Sequence, residues 1–400
     1  MNIYNHPIWN QTAPTTRVKI NKFKKPLHLA RIFLAANYAK LLPQEMFIGI
    51  TGSAGKTTTT AACTLVLKQK YNTLSTKPNL DPILNIPITI LKIRPSVKKV
   101  VLEMGVEYPG EMDFYLKLVK PATAIITTIA FQHSEHLGGL KDIASEKGKL
   151  VEQLPSDGTA ILNYDDVNVR KMAGSTSAKV IFYGTERQEC HIWAGNIRIE
   201  DYKTVFELNY GVERIEVKYP LLGSHQVYNA LAAAALGLNE GITLASIKLA
   251  LEKMEPQDHR MVVYEGFNDS IIIDDSYNGS PISVEAAIQT LQLVKARRRI
   301  VVLGETKELG EYSEEQHRKI ARIIYKEKVD LVLLGTGEAR IIADELVKLG
   351  FPIERLESDL QNPLMVAKLL KVLNKGDVCL IKGSRSLRLD EVVARVAKKL

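Results

Sequence analysis

Cysteine is nearly absent from this chain: Cys63, Cys190 and Cys379 are scattered and form no CxxC pair. Such spacing offers neither a disulfide framework nor a cysteine-rich zinc site, so all three read as reduced packing residues. Also missing is any apolar run approaching the roughly 18 residues that suggest a membrane span. The best candidate, Ala30 to Leu42, is interrupted by Arg31, Asn37 and Lys40 and reads as the helix of a soluble protein. The start, Met1-Asn2-Ile3-Tyr4-Asn5-His6, lacks the basic stretch, apolar stretch and small-residue cleavage site of a secretory signal, which points to the cytoplasm. Internal repeats and low-complexity tracts are lacking too, so the organisation must be read from the alternation of segment types.

What is present is large and mixed. The 400 residues exceed what one hydrophobic core usually serves and imply two or three domains. With 46% hydrophobic and 24% charged residues the composition is that of a globular protein. A formal net charge of +8 is compatible with nucleic acid, but a phosphate-rich substrate or a solvated basic surface explains it equally well. Part of the charge gathers at Arg17, Lys19, Lys22, Lys24 and Lys25. The reading adopted is no nucleic-acid partner.

The first strong unit begins at Met46. Phe47-Ile48-Gly49-Ile50 is a short apolar run, the turn Thr51-Gly52-Ser53-Ala54-Gly55 follows, and Lys56 to about Lys70 has helical composition. Strand-like runs recur at Lys99 to Glu103 and Ala124 to Thr127, with a helix expected from Leu140 to Leu154. Between Ala178 and Pro220 short alternating runs suggest an antiparallel flap on the same domain, before Gln226 opens an Ala-rich helix. A second series places strands at Ile271–Ile273, Ile300–Leu303, Leu331–Leu334 and Val378–Ile381. The expected class is α/β, with a central domain over 46–258 built on a parallel sheet and a Rossmann-like doubly wound domain over 259–400. Their boundary falls near Glu255 to Arg260, and residues 1–45 hold one helix and too little chain for a further domain.

Gly52-Ser53-Ala54-Gly55-Lys56-Thr57 has the glycine spacing and Lys-Thr end of a phosphate loop, shortened between its glycines. Glycines let backbone N–H groups face phosphates, the following helix N-terminus favours their charge, Lys56 reaches the β/γ oxygens and the Thr57 hydroxyl holds Mg2+. A Gly-rich turn alone is usually structural; the strand before and the helix after make this one a nucleotide site. Glu103, at the end of a strand, is placed to serve the metal, the bland alternative being a strand-terminal surface acid. His133 follows another strand end and offers an imidazole to a second metal, although His136 stands close by and a loop histidine is ordinarily just a surface residue.

These residues carry a family resemblance. Thr51-Gly52-Ser53-Ala54-Gly55-Lys56-Thr57-Thr58-Thr59, Leu102-Glu103-Met104-Gly105 and Gly223-Ser224-His225-Gln226-Val227-Tyr228-Asn229-Ala230 resemble the Mur ligases. Ile273-Asp274-Asp275-Ser276-Tyr277-Asn278-Gly279-Ser280-Pro281, Val302-Leu303-Gly304-Glu305 with Glu308-Leu309-Gly310, and Lys382-Gly383-Ser384-Arg385-Ser386-Leu387-Arg388 resemble the branch that adds D-alanyl-D-alanine. The resemblance runs from about Met46 to the C-terminus.

It implies a ligase of peptidoglycan precursor synthesis that uses ATP to phosphorylate the carboxylate of a UDP-muramoyl peptide, D-Ala-D-Ala then displacing phosphate through a tetrahedral intermediate. Carried over by motif, Gly52, Ser53, Ala54, Gly55, Lys56, Thr57 and Thr58 hold the ATP phosphates, Asn229 lies against adenine, Asp275 holds ribose and Arg260 reaches the phosphates from the domain junction. Thr57, Glu103 and His133 bind metal, two Mg2+ being implied. Lys56, Lys147 and His133 form the catalytic set. Lys147 matches a family lysine that becomes a carbamate, an anion able to support Mg2+; composition alone makes it a solvated helix lysine. Asn278, Ser384 and Arg385 are assigned to the acceptor, and a monomer is expected.

Four departures stand out. His259 and Asn85 replace usual glycines, Lys149 replaces an expected acid, and residues 1–45 stand where the family carries a domain gripping the UDP-sugar. The runner-up is therefore a Mur-like ligase adding an amino acid or dipeptide to another, non-UDP carboxylate, a folate-type acceptor being disfavoured by the late motifs. An amidating synthase needs a four-cysteine zinc ribbon that this chain lacks. An oxidoreductase reading of Gly335-Thr336-Gly337 fails at Arg340, where the third glycine belongs. A non-catalytic ATP-binding module would bind ATP without acceptor-dependent phosphate release.

Overall fold

The computed structural model describes His6, residues 24–185 and residues 187–398. Arg17, Lys19 and Lys22 of the basic N-terminal cluster lie outside the described residues.

Two sheets carry the molecule. The first contains β1 (Phe47–Thr51), β2 (Thr73–Ser75), β3 (Lys99–Glu103), β4 (Thr123–Ile126), β5 (Thr159–Asn163), β6 (Lys179–Gly184), β7 (Ile192–Glu200), β8 (Lys203–Tyr210) and β9 (Glu213–Tyr219), in the order β2-β3-β1-β4-β5-β6-β7-β8-β9. β1 is buried at every residue and lies parallel between β3 and β4, which is why it reads as an unbroken apolar run. Helices cover both faces. Pro82–Ile90, Glu111–Leu118 and Leu140–Glu152 pack on one, Lys56–Leu67 and the Ala-rich Gln226–Asn239 on the other.

The antiparallel segment starts one strand later than the alternation suggests. β6 is parallel to β5, and only β7, β8 and β9 pair antiparallel, extending the same sheet. Ile181 and Tyr183 of β6 are buried in the core that includes the Ala-rich helix, and the Tyr183 hydroxyl donates to Ile126 O at 3.1 Å. This anchorage keeps β6 with the parallel strands.

The second sheet contains β10 (Val262–Glu265), β11 (Ile271–Asp275), β12 (Arg298–Leu303), β13 (Leu331–Gly335), β14 (Leu356–Leu360) and β15 (Asp377–Lys382), ordered β10-β11-β15-β12-β13-β14. Only β10 runs antiparallel. β10 and β14 are half-exposed edge strands whose weak apolar content hid them from the periodicity. Helices flank both faces of this sheet as well.

The N-terminal helix, Lys25–Ala39, buries Ile32, Ala35 and Ala39 in the first domain's core, and the Tyr38 hydroxyl donates to Ile93 O at 3.1 Å. Among the described residues no helix is long and apolar enough to cross a membrane. In both sheets the connections diverge at the carboxyl ends of central strands, the place where open α/β sheets form their crevices.

Candidate active site

The loop after β1 takes its shape from two glycines in the left-handed region, Gly52 at φ 147° and Gly55 at φ 80°. A Cβ on Gly52 would collide with the Thr127 hydroxyl, and one on Gly55 would stand 2.6 Å from Asn229 Oδ1, so both positions require glycine for space as well as torsion. The segment after β4 braces the loop. Ser53 N donates to Thr128 O at 2.7 Å, Ser53 Oγ to Ala130 O at 2.8 Å, and Thr127 Oγ1 to Ala54 O at 2.6 Å. The helix Lys56–Leu67 starts directly at the loop and presents its free N–H groups there. Lys56 folds back so that Nζ donates to Gly52 O at 2.8 Å. Burial lowers its pKa, and the Glu103 carboxylate opposes that shift.

Thr57 Oγ1 donates to Glu103 Oε1 at 3.0 Å, bringing the end of β3 to the loop. An alcohol and a carboxylate in contact form a hard oxygen donor pair suited to Mg2+. Among the described residues no group of three or more His, Cys, Asp or Glu is arranged to hold a metal, so further donors must come from phosphate, water or a modified side chain. Lys147 is 1% exposed in the helix Leu140–Glu152 and has no hydrogen-bond partner among the described residues. Its pKa lies well below the ordinary lysine value, chiefly through burial and then through repulsion by Lys56, with Glu111, Glu146 and Glu107 opposing. This is no solvated helix lysine. A neutral amine is what CO2 reacts with, and a carbamate there would supply the missing anionic oxygen.

His133 sits at φ 54°, and its Nδ1 pairs with Glu308 of the second domain. Nearby, Glu135 N donates to Glu308 O at 3.1 Å and the Phe131 and Tyr312 rings lie 4.8 Å apart. These contacts close one side of a cavity of about 690 Å³ between the domains. One wall holds Ser53 to Thr58, Glu103, His133 and Asn229; the other holds Arg260, Asp275 and Asn278. Asn229 accepts from Thr59 Oγ1 at 2.9 Å and donates to Gln226 Oε1 at 2.8 Å, tying the Ala-rich helix to the loop helix. Arg260 lies over the Tyr277 ring, 4.4 Å from its centroid, and its Nε is buried without a partner. Lys147 does not line this cavity, and Ser384 and Arg385 line a smaller neighbour of about 50 Å³ that shares Asn278 and His133.

Some residues took on roles that the sequence did not suggest. Lys382, 2% exposed, donates from Nζ to Asp275 Oδ2 at 2.5 Å and to Asn278 O at 2.9 Å, so it orients the carboxylate facing the cavity. Its signal was a lysine inside an otherwise apolar strand end. Asp166 accepts from Thr128 Oγ1 at 2.6 Å and Ile129 N at 2.7 Å while capping the helix Val167–Lys171, which steadies the bracing loop. His6 is buried against Glu111, Nε2 to Oε1 at 2.8 Å, and Glu111 Oε2 accepts from Glu107 N at 2.6 Å in the loop after β3. No local pattern links His6 to that loop.

The departures have local explanations. His259 adopts φ 60°, a torsion that suits glycine, and its Nδ1 lies 2.7 Å from Asp274 Oδ2. Asn85 exchanges hydrogen bonds with Lys77, donating to its O at 2.7 Å and accepting from its N at 3.1 Å. Lys149 pairs with Asp113 and Glu146 at 2.7 Å each, and Glu146 in turn accepts from Gly110 N and Met112 N.

Comparison with known proteins agrees with this geometry. Residues 50–237 match the Mur ligase middle domain, and residues 259–385 match the Mur ligase, glutamate ligase domain. The chain is 31% identical to UDP-N-acetylmuramoyl-tripeptide–D-alanyl-D-alanine ligase of Escherichia coli (strain K12), over 92% of this chain and 80% of that protein. It is 30% identical to the enzyme of that name from Bacillus subtilis (strain 168), over 89% and 77%. Among solved structures, MurF from Acinetobacter baumannii superposes with a TM-score of 0.83 at 26% identity, covering 92% of this chain and 80% of that one. The fold is shared as well with MurF ligase from Thermotoga maritima in complex with ADP, at a TM-score of 0.82 and 23% identity, over 97% and 86%.

Proposed function

The chain belongs to the Mur ligase family, and from that premise we propose that it is an ATP-dependent ligase joining D-alanyl-D-alanine to a UDP-N-acetylmuramoyl tripeptide in peptidoglycan precursor synthesis. The observation that carries this reading is the shared cavity. A phosphate loop on one wall faces a carboxylate–lysine pair on the other, leaving about 690 Å³ for a nucleotide and the reacting end of an acceptor.

The acceptor carboxylate attacks the γ-phosphorus of ATP, ADP leaves, and an acyl phosphate forms. The amine of D-Ala-D-Ala then adds to its carbonyl, and the tetrahedral adduct expels phosphate. Charge accumulates on phosphoryl oxygens in the first step, and Lys56, the loop N–H groups and the helix N-terminus face the place where it accumulates. Arg260, which lines the cavity from the junction, adds a cation that would pair with phosphate oxygens. Asp275, held by Lys382, would take the ribose, and Asn229, beside the loop, would take the base. Thr57 and Glu103, with carbamylated Lys147 and His133, would hold Mg2+, which supplies charge neutralisation of the phosphates. Asn278, Ser384 and Arg385, which line the smaller neighbouring cavity, are assigned to the acceptor.

ATP and a nucleotide-linked acceptor as substrates place the reaction in the cytoplasm. Both cavity walls come from one chain, which is consistent with a working monomer. The test is ADP release and product mass with UDP-muramoyl tripeptide and D-Ala-D-Ala, each omitted in turn. One amide per ADP, only with both present, is the expected result. ADP release that ignores both acceptors removes the ligase reading, and equal turnover of muramoyl tripeptide without UDP transfers it to a non-UDP acceptor.

A further inference from the structure

The helix Lys25–Ala39 has two apolar faces, and the described residues cover only one. Ile32, Ala35 and Ala39 enter the core of the first domain. On the other side Leu27, Ala30, Leu34, Asn37 and Leu41 repeat at alternating intervals of three and four, with Phe33 beside Leu34. Leu27, Phe33, Leu34 and Leu41 are 50, 68, 56 and 81% exposed. A group of large, exposed apolar side chains along one face of a surface helix marks an interaction site.

The charge along this N-terminal segment has one sign. The first 44 residues contain seven Lys and Arg and no Asp or Glu, whereas the remaining 356 contain 46 basic and 45 acidic residues. Nearly all the net charge of the chain therefore belongs to this segment. Lys24, Lys25, Arg31 and Lys40 lie on the helix or at its ends. Repulsion by Arg31 and Lys24 adds to burial in lowering the pKa of His28, a local sign of positive potential.

We propose that the exposed stripe of helix Lys25–Ala39, with its flanking Lys24, Lys25, Arg31 and Lys40, is a docking surface for the anionic face of a lipid bilayer. The two features reinforce each other only there. An interfacial helix gains from burying Leu and Phe at the headgroup boundary and from cations beside anionic headgroups. A nucleic acid would reward the cations and leave the aliphatic side chains in water. A second copy of this chain would cover the stripe but press like charges together across a two-fold contact. The attachment is peripheral, and it does not depend on the ligase reading.

The experiment is cosedimentation of the full chain with vesicles of phosphatidylcholine alone and of phosphatidylcholine with about one third phosphatidylglycerol, at low and high salt. Binding to the anionic vesicles is expected to be at least about tenfold tighter, and to weaken as salt rises. Leu27→Glu/Phe33→Glu/Leu34→Glu and Lys24→Glu/Lys25→Glu/Arg31→Glu should each abolish it while thermal melting and ADP release stay unchanged. Equal binding to neutral vesicles, or full binding by the Leu/Phe variant, overturns the proposal. Tighter binding to duplex DNA that survives the Leu/Phe changes assigns the surface to nucleic acid instead. Dimers in sedimentation that the Leu/Phe variant dissolves assign it to a second copy.

Discussion

In the proposed reaction Lys56 and Glu103 stand at opposite ends of the same electrostatic problem, one to neutralise phosphate and the other to hold its counterion. Replacing either by alanine should lower kcat at least about 100-fold, as loss of a preorganised charge partner typically does. Neither side chain packs a core, so melting temperature should hold; near-normal turnover would take the loop out of the chemistry. Lys147 is different, because burial disfavours its charged form. Lys147→Ala should lose most activity, and small carboxylates such as formate should restore part of it by occupying the vacated anionic position. Full activity without additive would leave only a packing role. His225 supplies a pH dependence. Burial pushes its pKa from the ordinary 6.5 down to about 4, so the folded chain holds it neutral where the unfolded chain binds a proton. Its contribution is complete above pH 6.5 and is lost as pH falls toward 4, by at most about 3 kcal/mol since part of the ring faces the cavity. His225→Gln should flatten the melting curve against pH in that window, and an unchanged acid slope would refute the assignment.

At the scale of elements, the ends of neighbouring parallel strands do the positioning. β11 and β15 are in register, Asp275 opposite Lys382, and that register makes their side chains meet. Neither residue could reach the other from a shifted strand, since a one-residue slip reverses the faces. Lys382→Met should cost about 3 to 5 kcal/mol, because it leaves a largely buried carboxylate without its cation. Lys382→Met/Asp275→Asn should recover much of that stability, though not activity with ATP. Additive losses in the double-variant cycle would show that the two side chains act independently. The same logic applies to Gly55. An alanine there strains a left-handed torsion and meets Asn229, so the loop and the Ala-rich helix cannot both stay in place.

The whole molecule matters because half of the candidate site comes from each domain. The His133–Glu308 pair, the Phe131–Tyr312 rings and the backbone bond from Glu135 to Glu308 hold the walls together on one side. Glu308→Ala should reduce kcat about tenfold or more while leaving each domain's melting transition intact, because it weakens closure and not either core. Small-angle scattering with and without ATP should show a more open average shape for that variant. An unchanged kcat and radius of gyration would mean that the pair is incidental to closure.

Much of this protein is legible from its residues alone, and the physical reason is locality. The strand-loop-helix around Gly52 to Thr57, the buried runs of β1, β3 and β4 and the Ala-rich helix announce themselves because period, glycine torsion and helix composition act over a few residues. Lys147 could not be placed by those rules, since its helix is amphipathic and a lysine there normally faces water; only packing buries it beside Lys56. Nor could Lys382 against Asp275, His133 against Glu308 or His6 against Glu111, pairs separated by 107, 175 and 105 positions. The edge strands β10 and β14 and the parallel pairing of β6 escaped for a related reason, because what decides them is which neighbour lies alongside. The sequence by itself determined the fold class, the strand-loop-helix around Gly52 to Thr57 and the family. The tertiary structure decided which charges are buried, which carboxylate meets which cation and which apolar helix face the described residues leave uncovered, because charge burial and ion pairing depend on distances that only the folded chain defines.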